Sequence, residues 1–486
     1  MNPRRNPIFP KRLIHFTQVV AQHGGRALLI GGSVRDWLLG KPWKDFDIEV
    51  YGILPEKLLE LCKSEGSVNL VGASFAVLKV QLSRTLHIDV SIPRKERSTG
   101  SGHTAFMIET DPFMSFKIAA QRRDLTVNAI SYDPLTHEII DPCLGMTDIQ
   151  VKVLRHIGSK FREDPLRVLR VLRFMAQLGF DIAPETFDVC KNMTLEGCLQ
   201  SLPRERIEEE LKNLLINGKS GFIERALRTA SDMGIFNMIM PEIEQLKDIQ
   251  QDPIYHAEGN CFTHTILAVD KAAGIAKRDG LNNTERYVLC LAALVHDLGK
   301  YHTTTVDNDG RIRTYGHDKA VKTDAFPLLE RICSNKKTIE QVFGLAETHM
   351  QPLHLVQADV VSDAAIRRLA SKICPSSLFD LARLVEADTM ASWSSQSKQK
   401  MNAHIFLRER ALSLGVQNKP IEPLLMGRDL IELARYGKIP QKYCAGGPHF
   451  KHLLDKLYNA QLDGLIHSKK EAVDFLLNLE ETGDII

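Results

Sequence analysis

Asp45 and Asp47 stand two residues apart within Leu28 to Gly52, LLIGGSVRDWLLGKPWKDFDIEVYG. On a strand, that spacing turns both side chains to one face, because successive residues alternate sides. Such a pair suits Mg²⁺ held against a triphosphate: hard oxygen ligands match the ion, and the ion relieves their mutual repulsion. Ahead of them, Gly31 and Gly32 let backbone approach phosphate, and a helix opening near Val34 offers its unpaired N–H groups to the same anion. A lone GG or DxD is weak. GG-x-x-R-D, then eight residues, then D-x-D-x-x-x-x-G is specific.

These residues need a scaffold. A leucine-rich strand from Leu28, a short helix ending at Gly40, and a second strand with Asp45, Asp47 and Glu49 on one face and Phe46, Ile48 and Val50 on the other would supply it. A helix near Pro55 to Glu65 and strands Phe75 to Leu82 and Leu86 to Ile92 follow, the last carrying Asp89. Pro93 to Thr104 is polar and without period, hence a loop, whose basic residues either touch triphosphate or primer or are simply solvated.

Ala120 to Ile130, AQRRDLTVNAI, offers arginine forks suited to phosphate oxygens, with Asp124 suited either to orienting Arg123 or to contacting a sugar. In Phe161 to Phe180, Asp164 and Pro165 make an N-cap and first-turn pair, and Leu166, Leu169, Val171, Leu172 and Phe174 give the helix its apolar face. Arg167, Arg170 and Arg173 are spaced by three, so they step round that helix by roughly 60° each and stay on one side, an invitation to a polyanion. Ser201 to Leu211 starts another helix, and Pro203 to Glu242 reads as a helical neck.

From about residue 250 the chemistry changes to His256, His264, His296-Asp297, His317-Asp318, His349 and Asp388. Imidazole with carboxylate suits Mn²⁺, Ni²⁺, Co²⁺ or Zn²⁺.

The first set of motifs resembles the nucleotidyltransferase head of the DNA polymerase beta superfamily, in particular the bacterial class II tRNA nucleotidyltransferase and poly(A) polymerase family. RRDxTxNA is matched by Arg122, Arg123, Asp124 and Asn128, E-D-x-x-R by Glu163, Asp164 and Arg167, and E-R-x-x-x-E by Glu205, Arg206 and Glu210. The resemblance implies that Asp89 completes the metal site or activates the attacking hydroxyl beside Asp45 and Asp47. It implies that Gly31, Gly32, Arg35, Arg123, Asp124 and Asn128 bind triphosphate and sugar, and that Asp164 and Arg167 hydrogen-bond the incoming base. A carboxylate and a guanidinium satisfy C or A, whereas G and U leave buried groups unpaired. Arg170 and Arg173 would be further nucleotide contacts. The second set resembles the HD superfamily of metal-dependent phosphohydrolases. That implies His264, His296, Asp297 and a distal Asp as ligands, Asp388 ahead of Asp363 and Asp380, with His317 and His349 holding a second metal or the phosphate.

The totals restrict the partners. The 62 basic and 60 acidic side chains leave a formal charge of +2, so a nucleic-acid surface must be a local patch. Nine cysteines without a CxxC pair do not make a disulfide framework. Arg4, Arg5, Lys11 and Arg12 lack an apolar stretch behind them, and Tyr287 to Val295 suits a buried helix rather than a membrane span, so the expectation is a cytoplasmic protein with no membrane partner.

The fold expected is α+β: an N-terminal helix (1–25), a polymerase-beta-like head with a small mixed sheet (26–150), a helical nucleotide-selecting neck (151–245), an HD domain (246–392) and a helical RNA-binding tail (393–486). The function expected is addition of CMP and AMP to tRNA 3′ ends from CTP and ATP with Mg²⁺, plus metal-dependent removal of 2′,3′-cyclic or 2′-phosphate. The alternatives are a CC-only or A-only enzyme, a poly(A) polymerase, and an HD phosphohydrolase with a nucleotide-sensing head. The sequence leaves the oligomeric state open.

Overall fold

The computed structural model describes residues 7–43, 45–70, 77–98, 106–358, 360–393, 398–441 and 448–482. The chain divides into two compact units, Met1–Ile239 and Met240–Ile486.

The first unit is built on β1 (Arg26–Ile30), β2 (Asp47–Tyr51), β3 (Ser67–Leu70), β4 (Val77–Ser83) and β5 (Leu86–Ser91). With two short strands, β8 (Ser131–Tyr132) and β9 (Ile139–Ile140), they form one sheet in the order β3-β4-β5-β2-β1-β8-β9. Two pairings decide where the chemistry falls. β1 runs antiparallel to β2, so the turn leaving β1 at Gly31 lies beside the start of β2 at Asp47. β2 runs parallel to β5 and sets Asp47 opposite Asp89. Alternating burial along β4 and β5 is what one apolar face against helices requires.

Three local readings need correction. The helix after β1 spans Gly32–Leu38 and starts straight from Gly31, whose φ of 75° lies in the left-handed region that glycine adopts at little cost. Asp45 is exposed and precedes β2, which begins at Asp47, so it does not share the strand alternation. Its approach is fixed instead by aromatic packing. Trp43 stacks on Trp37 and Phe46 with centroids 5.8 and 6.2 Å apart, and Phe9 and Tyr132 close the cluster.

The third correction concerns the segment expected as a loop. Arg94–Ser98 forms β6 and pairs antiparallel with β7 (Phe106–Thr110); residues 99–105 lie outside the described residues. A two-stranded ribbon is defined by backbone pairing, which needs no apolar period.

Helices complete this unit. Leu166–Leu178 packs on Arg204–Asn217 and Phe222–Asp232 and ends at Gly179, with φ 76°. Pro165 is already helical in φ and ψ, and Asp164 Oδ1 accepts from the Leu166 N–H at 3.1 Å, so the expected cap is present two residues before the helix start at Leu166.

The second unit is helical around its His and Asp residues. Cys261–Arg278 starts from Asn260, whose side chain accepts the Thr263 N–H, and Asn283–Val295 starts from a capping box of Asn282 with Glu285. Both pack against Leu378–Ala391, capped by Ser377 and Asp380. Asn283–Val295 is buried from Tyr287 to Val295, as its apolar run anticipates. Gly427–Arg435, Pro448–Asp463 and Lys469–Thr482 share a separate cluster around Leu430, Leu453, Leu457 and Leu476. Pro448 opens a helix, and residues 442–447 before it lie outside the described residues. No described helix is long and apolar enough to cross a membrane.

Candidate active sites

In the first unit, an open cavity of about 580 Å³ collects residues from five separate stretches. Gly31, Gly32 and Arg35 come from the turn after β1 and the helix it opens, Asp47 from β2, Arg123 and Asn128 from the RRD segment, Asp164, Arg167, Arg170 and Arg173 from the long helix and its cap, and Arg206 from the helix Arg204–Asn217. A Cβ at Gly31 would come 3.4 Å from Arg123 Nη1, so the bare backbone leaves room for the guanidinium.

A chain of polar contacts braces the cavity. Arg35 Nη1 donates to Asn128 Oδ1 at 2.6 Å, Asn128 Nδ2 donates to Asp124 Oδ1 at 2.9 Å, and Arg170 Nε donates to Asp124 Oδ2 at 2.7 Å. Asp124 therefore orients Arg170 and Asn128; Arg123 instead lies 3.7 Å from Glu49 and 3.5 Å from the Asn128 carbonyl. Burial opposes the Asp124 charge, yet Arg170 and Asn128 hold its carboxyl below the usual range.

Arg173 and Glu210 make an ion pair at 2.7 Å that lacks good hydrogen-bond direction, and burial pushes the Glu210 carboxyl up and the Arg173 guanidinium down. The Arg35, Arg170 and Arg173 guanidiniums also lie 5.0, 5.5 and 4.4 Å from the centre of the Phe174 ring. Arg167 donates to the carbonyls of Lys160 and Arg122, both at 2.7 Å, and Asp164 Oδ2 accepts from Arg206 at 3.1 Å.

The carboxylate edge is charged and crowded. Burial, Asp89 and Asp45 raise the Asp47 carboxyl, with Arg123 pulling the other way. Three carboxylates of which the half-buried one already resists ionisation are a donor set suited to a hard divalent cation.

In the second unit the tightest gathering surrounds Asp297, which is almost wholly buried. Its Oδ2 lies 3.3 Å from His296 Nε2 and 3.7 Å from His264 Nε2, and His264 Nε2 lies 3.0 Å from Asp388 Oδ1. Its Oδ1 lies 3.4 Å from His317 Nε2 and 3.8 Å from His349 Nε2. In His296, His317 and His349, Nδ1 lies 2.9, 2.7 and 2.7 Å from the carbonyl three residues earlier. Nδ1 is then the donor, which turns each Nε2 toward the centre, where those of His317 and His349 lie 3.2 Å apart.

His296 Nε2 is buried and without a hydrogen-bond partner, which fits a metal ligand better than a core histidine. Burial, with His296 and His317 nearby, lowers His349 to about 3, so it is a neutral imidazole. Asp297 ionises well below the usual range, because against the cost of burial it faces His296 and Lys300.

A cavity of about 140 Å³ opens beside this centre, lined by His256, Asp297, Lys300, His317, His349 and Asp388 among others. The structure brings Asp388 to the centre and leaves the two rival aspartates elsewhere. Asp380 caps its own helix, and Asp363 pairs with Arg410.

Several residues in these sites were not anticipated. Lys300 Nζ donates to Asp297 Oδ2 and Gln251 Oε1, both at 2.7 Å, and its place one helical turn after Asp297 was a signal available in the sequence. Phe174 and Gln177 line the first cavity, with Arg122 and Arg206, which the motifs had already marked without a role. Phe174 reads as core in any periodicity, so it does not announce itself as a cavity wall.

Residues 27–155 match the family described as Poly A polymerase head domain, and 179–247 match the probable RNA and SrmB-binding site of polymerase A. The multifunctional CCA protein of Stenotrophomonas maltophilia (strain R551-3) is 31% identical over 402 residues, 81% of this chain and 93% of the relative. The crystal structure of Bacillus stearothermophilus CCA-adding enzyme in complex with CTP aligns with a TM-score of 0.61 at 22% identity, covering 98% of this chain and 99% of that one. Thermotoga maritima CCA-adding enzyme complexed with tRNA_CCA aligns with a TM-score of 0.56 at 18% identity, covering 97% and 96%.

Proposed function

The chain belongs to the family of multifunctional CCA proteins, and from that premise we propose how its residues divide the work. The protein is a nucleotidyltransferase that adds CMP and AMP from CTP and ATP to tRNA 3′ ends in the cytoplasm, without a nucleic-acid template. Enzymes of this kind depend on a divalent metal. Mg²⁺ is the ion that Asp45, Asp47 and Asp89 suit, and when bound it supplies charge neutralisation at the departing pyrophosphate.

The observation that carries this reading is the convergence of Gly31, Gly32, Asp47, Arg123, Asp164 and Arg167 on one cavity. The chain's own residues then do the following. Gly31 and Gly32 admit the triphosphate against the backbone, and the Arg35 and Arg123 guanidiniums pair with its oxygens. Asp164 and Arg167 present an acceptor and a donor fork to the base edge. Arg170 and Arg173, held by Asp124 and Glu210, keep positive charge along the nucleotide. The cavity counts seven arginines, Arg35, Arg122, Arg123, Arg167, Arg170, Arg173 and Arg206, against the carboxylates Asp47, Asp124 and Asp164, a local excess that the near-neutral chain hides.

We further propose a phosphohydrolase in the second unit that removes 2′,3′-cyclic or 2′-phosphate from RNA ends. His264, His296, Asp297 and Asp388 suit a borderline metal such as Mn²⁺, Ni²⁺, Co²⁺ or Zn²⁺, which when bound makes water a nucleophile at neutral pH. His317, His349 and Lys300 face the same cavity and suit a phosphoryl group.

The test is to incubate purified protein with tRNA transcripts ending before CCA, after C and after CC, with CTP and ATP singly and together, and to resolve products at single-nucleotide length. Ordered growth that stops at CCA is expected. Addition of A alone or without limit would overturn the CCA reading.

A further inference from the structure

One histidine around Asp297 is held differently from the other three. His296, His317 and His349 each set Nδ1 against a carbonyl three residues back, but His264 sets Nδ1 2.7 Å from Glu258 Oε1. The Glu258 side chain is wholly shielded from solvent. The same Oε1 lies 2.8 Å from His256 Nδ1, and Oε2 accepts the Trp393 N–H at 3.0 Å.

A carboxylate can only accept here, so His264 must donate from Nδ1, and Nε2 is left as the ring atom turned toward Asp388 and Asp297, at 3.0 and 3.7 Å. A carboxylate partner also makes imidazole a stronger ligand than a peptide carbonyl does. Trp393 follows directly on Ser392, the cap of the helix that carries Asp388. One buried side chain therefore fixes both His264 and the chain end beside Asp388.

We propose that Glu258 is the positioning residue of the phosphohydrolase centre: it sets the His264 tautomer and holds the two sides of the metal site in register. The proposal rests on the phosphohydrolase reading for its purpose, but its test does not use hydrolysis.

The full-length protein, stripped of metal with chelator, is titrated with Mn²⁺ by calorimetry, and its Co²⁺ form is read by visible absorption. Glu258→Gln is expected to weaken Mn²⁺ binding about 10- to 100-fold and to alter the Co²⁺ bands. His256→Ala, which leaves the Glu258–His264 contact in place, is expected to shift the affinity less than about threefold on the same scale. Addition of CMP and AMP by the first unit serves as the control for intact protein. Glu258→Gln binding Mn²⁺ as the wild type does, with an unchanged Co²⁺ spectrum, overturns the proposal.

A measurement on the wild type stands if Glu258→Gln fails to fold. Imidazole ¹⁵N shifts of metal-free protein should show His264 protonated on Nδ1, and protonation on Nε2 alone overturns the proposal. A wild type that takes Mn²⁺ yet cleaves no phosphate end defeats the phosphohydrolase reading by itself, because affinity and tautomer are read without substrate.

Discussion

Asp47 and Asp89 stand opposite one another on parallel strands, and burial, Asp89 and Asp45 together raise the Asp47 carboxyl. A carboxyl raised on folding adds stability only at low pH, and that contribution is lost as pH rises through the folded value. At neutral pH the ionised Asp47 therefore opposes folding of the metal-free protein. Asp47→Asn should stabilise it by about 0.5–2 kcal/mol in urea at pH 7.5 with EDTA, and the gain should shrink as pH falls into the carboxylate range. Equal or lower stability of the variant at pH 7.5 would contradict this account.

The same substitution should remove the chemistry. Asp47→Asn is expected to lower the rate of nucleotide addition at least about 10²–10³-fold, the scale seen when one charge-stabilising group is lost. EDTA should stop the wild type, and excess Mg²⁺ should restore it. Activity of Asp47→Asn close to wild type in single-turnover assays would remove Asp47 from the site.

Asp164 has two duties that one variant can separate. Its Oδ1 accepts the Leu166 N–H, so Asp164→Ala should cost about 1 kcal/mol of stability through the lost cap. Discrimination should fall further than the cap explains, with UMP or GMP misincorporation relative to CMP rising about tenfold or more. Asp164→Asn keeps a cap acceptor, so a variant that recovers the stability while staying unselective would separate the roles.

Glu210 is the counter-charge of Arg173 and lies near Arg170 at 3.8 Å. Glu210→Ala strands a mostly buried guanidinium, so a loss of about 3 kcal/mol in denaturant unfolding is expected. A loss below 1 kcal/mol would mean that Arg173 finds water or another acceptor.

The two chemistries should part cleanly. His296→Ala and Asp297→Ala should abolish metal-dependent removal of 2′,3′-cyclic phosphate and leave CMP and AMP addition within about twofold, because the partners of their side chains, Lys300 included, all belong to the second unit. Loss of both activities with the fold intact by circular dichroism would tie the two sites together.

What could be read from the sequence was whatever chemistry sits in short, ordered spacings. Gly31, Gly32 and Asp47 fall within one strand-turn-helix-strand passage, and the Asp164 cap declares itself by its Pro165 neighbour. The family resemblance placed the polymerase-like head and its tRNA chemistry, and the family comparisons agree. Contacts made across long separations were hidden. Asp124 could be seen beside Arg123 but not beside Arg170, 46 residues away. Glu258 belonged to none of the motifs. The ribbon of β6 and β7 escaped notice because pairing of backbone, rather than burial of side chains, defines it. Asp45 was placed on a strand by alternation that the real strand does not reach.

Phe174 has a wider implication. An aromatic face attracts guanidinium but offers no acceptor to be broken from, and leaving it costs only about 0.5–1 kcal/mol where solvent is near. Arg35, Arg170 and Arg173 keep polar partners, Arg35 on Asn128 and Asp36, Arg170 on Asp124 and Arg173 on Glu210, and all three guanidiniums gather round this ring. Three positive charges thus share one apolar wall that prescribes no single hydrogen-bond direction, so the wall by itself favours neither a one-ring nor a two-ring base.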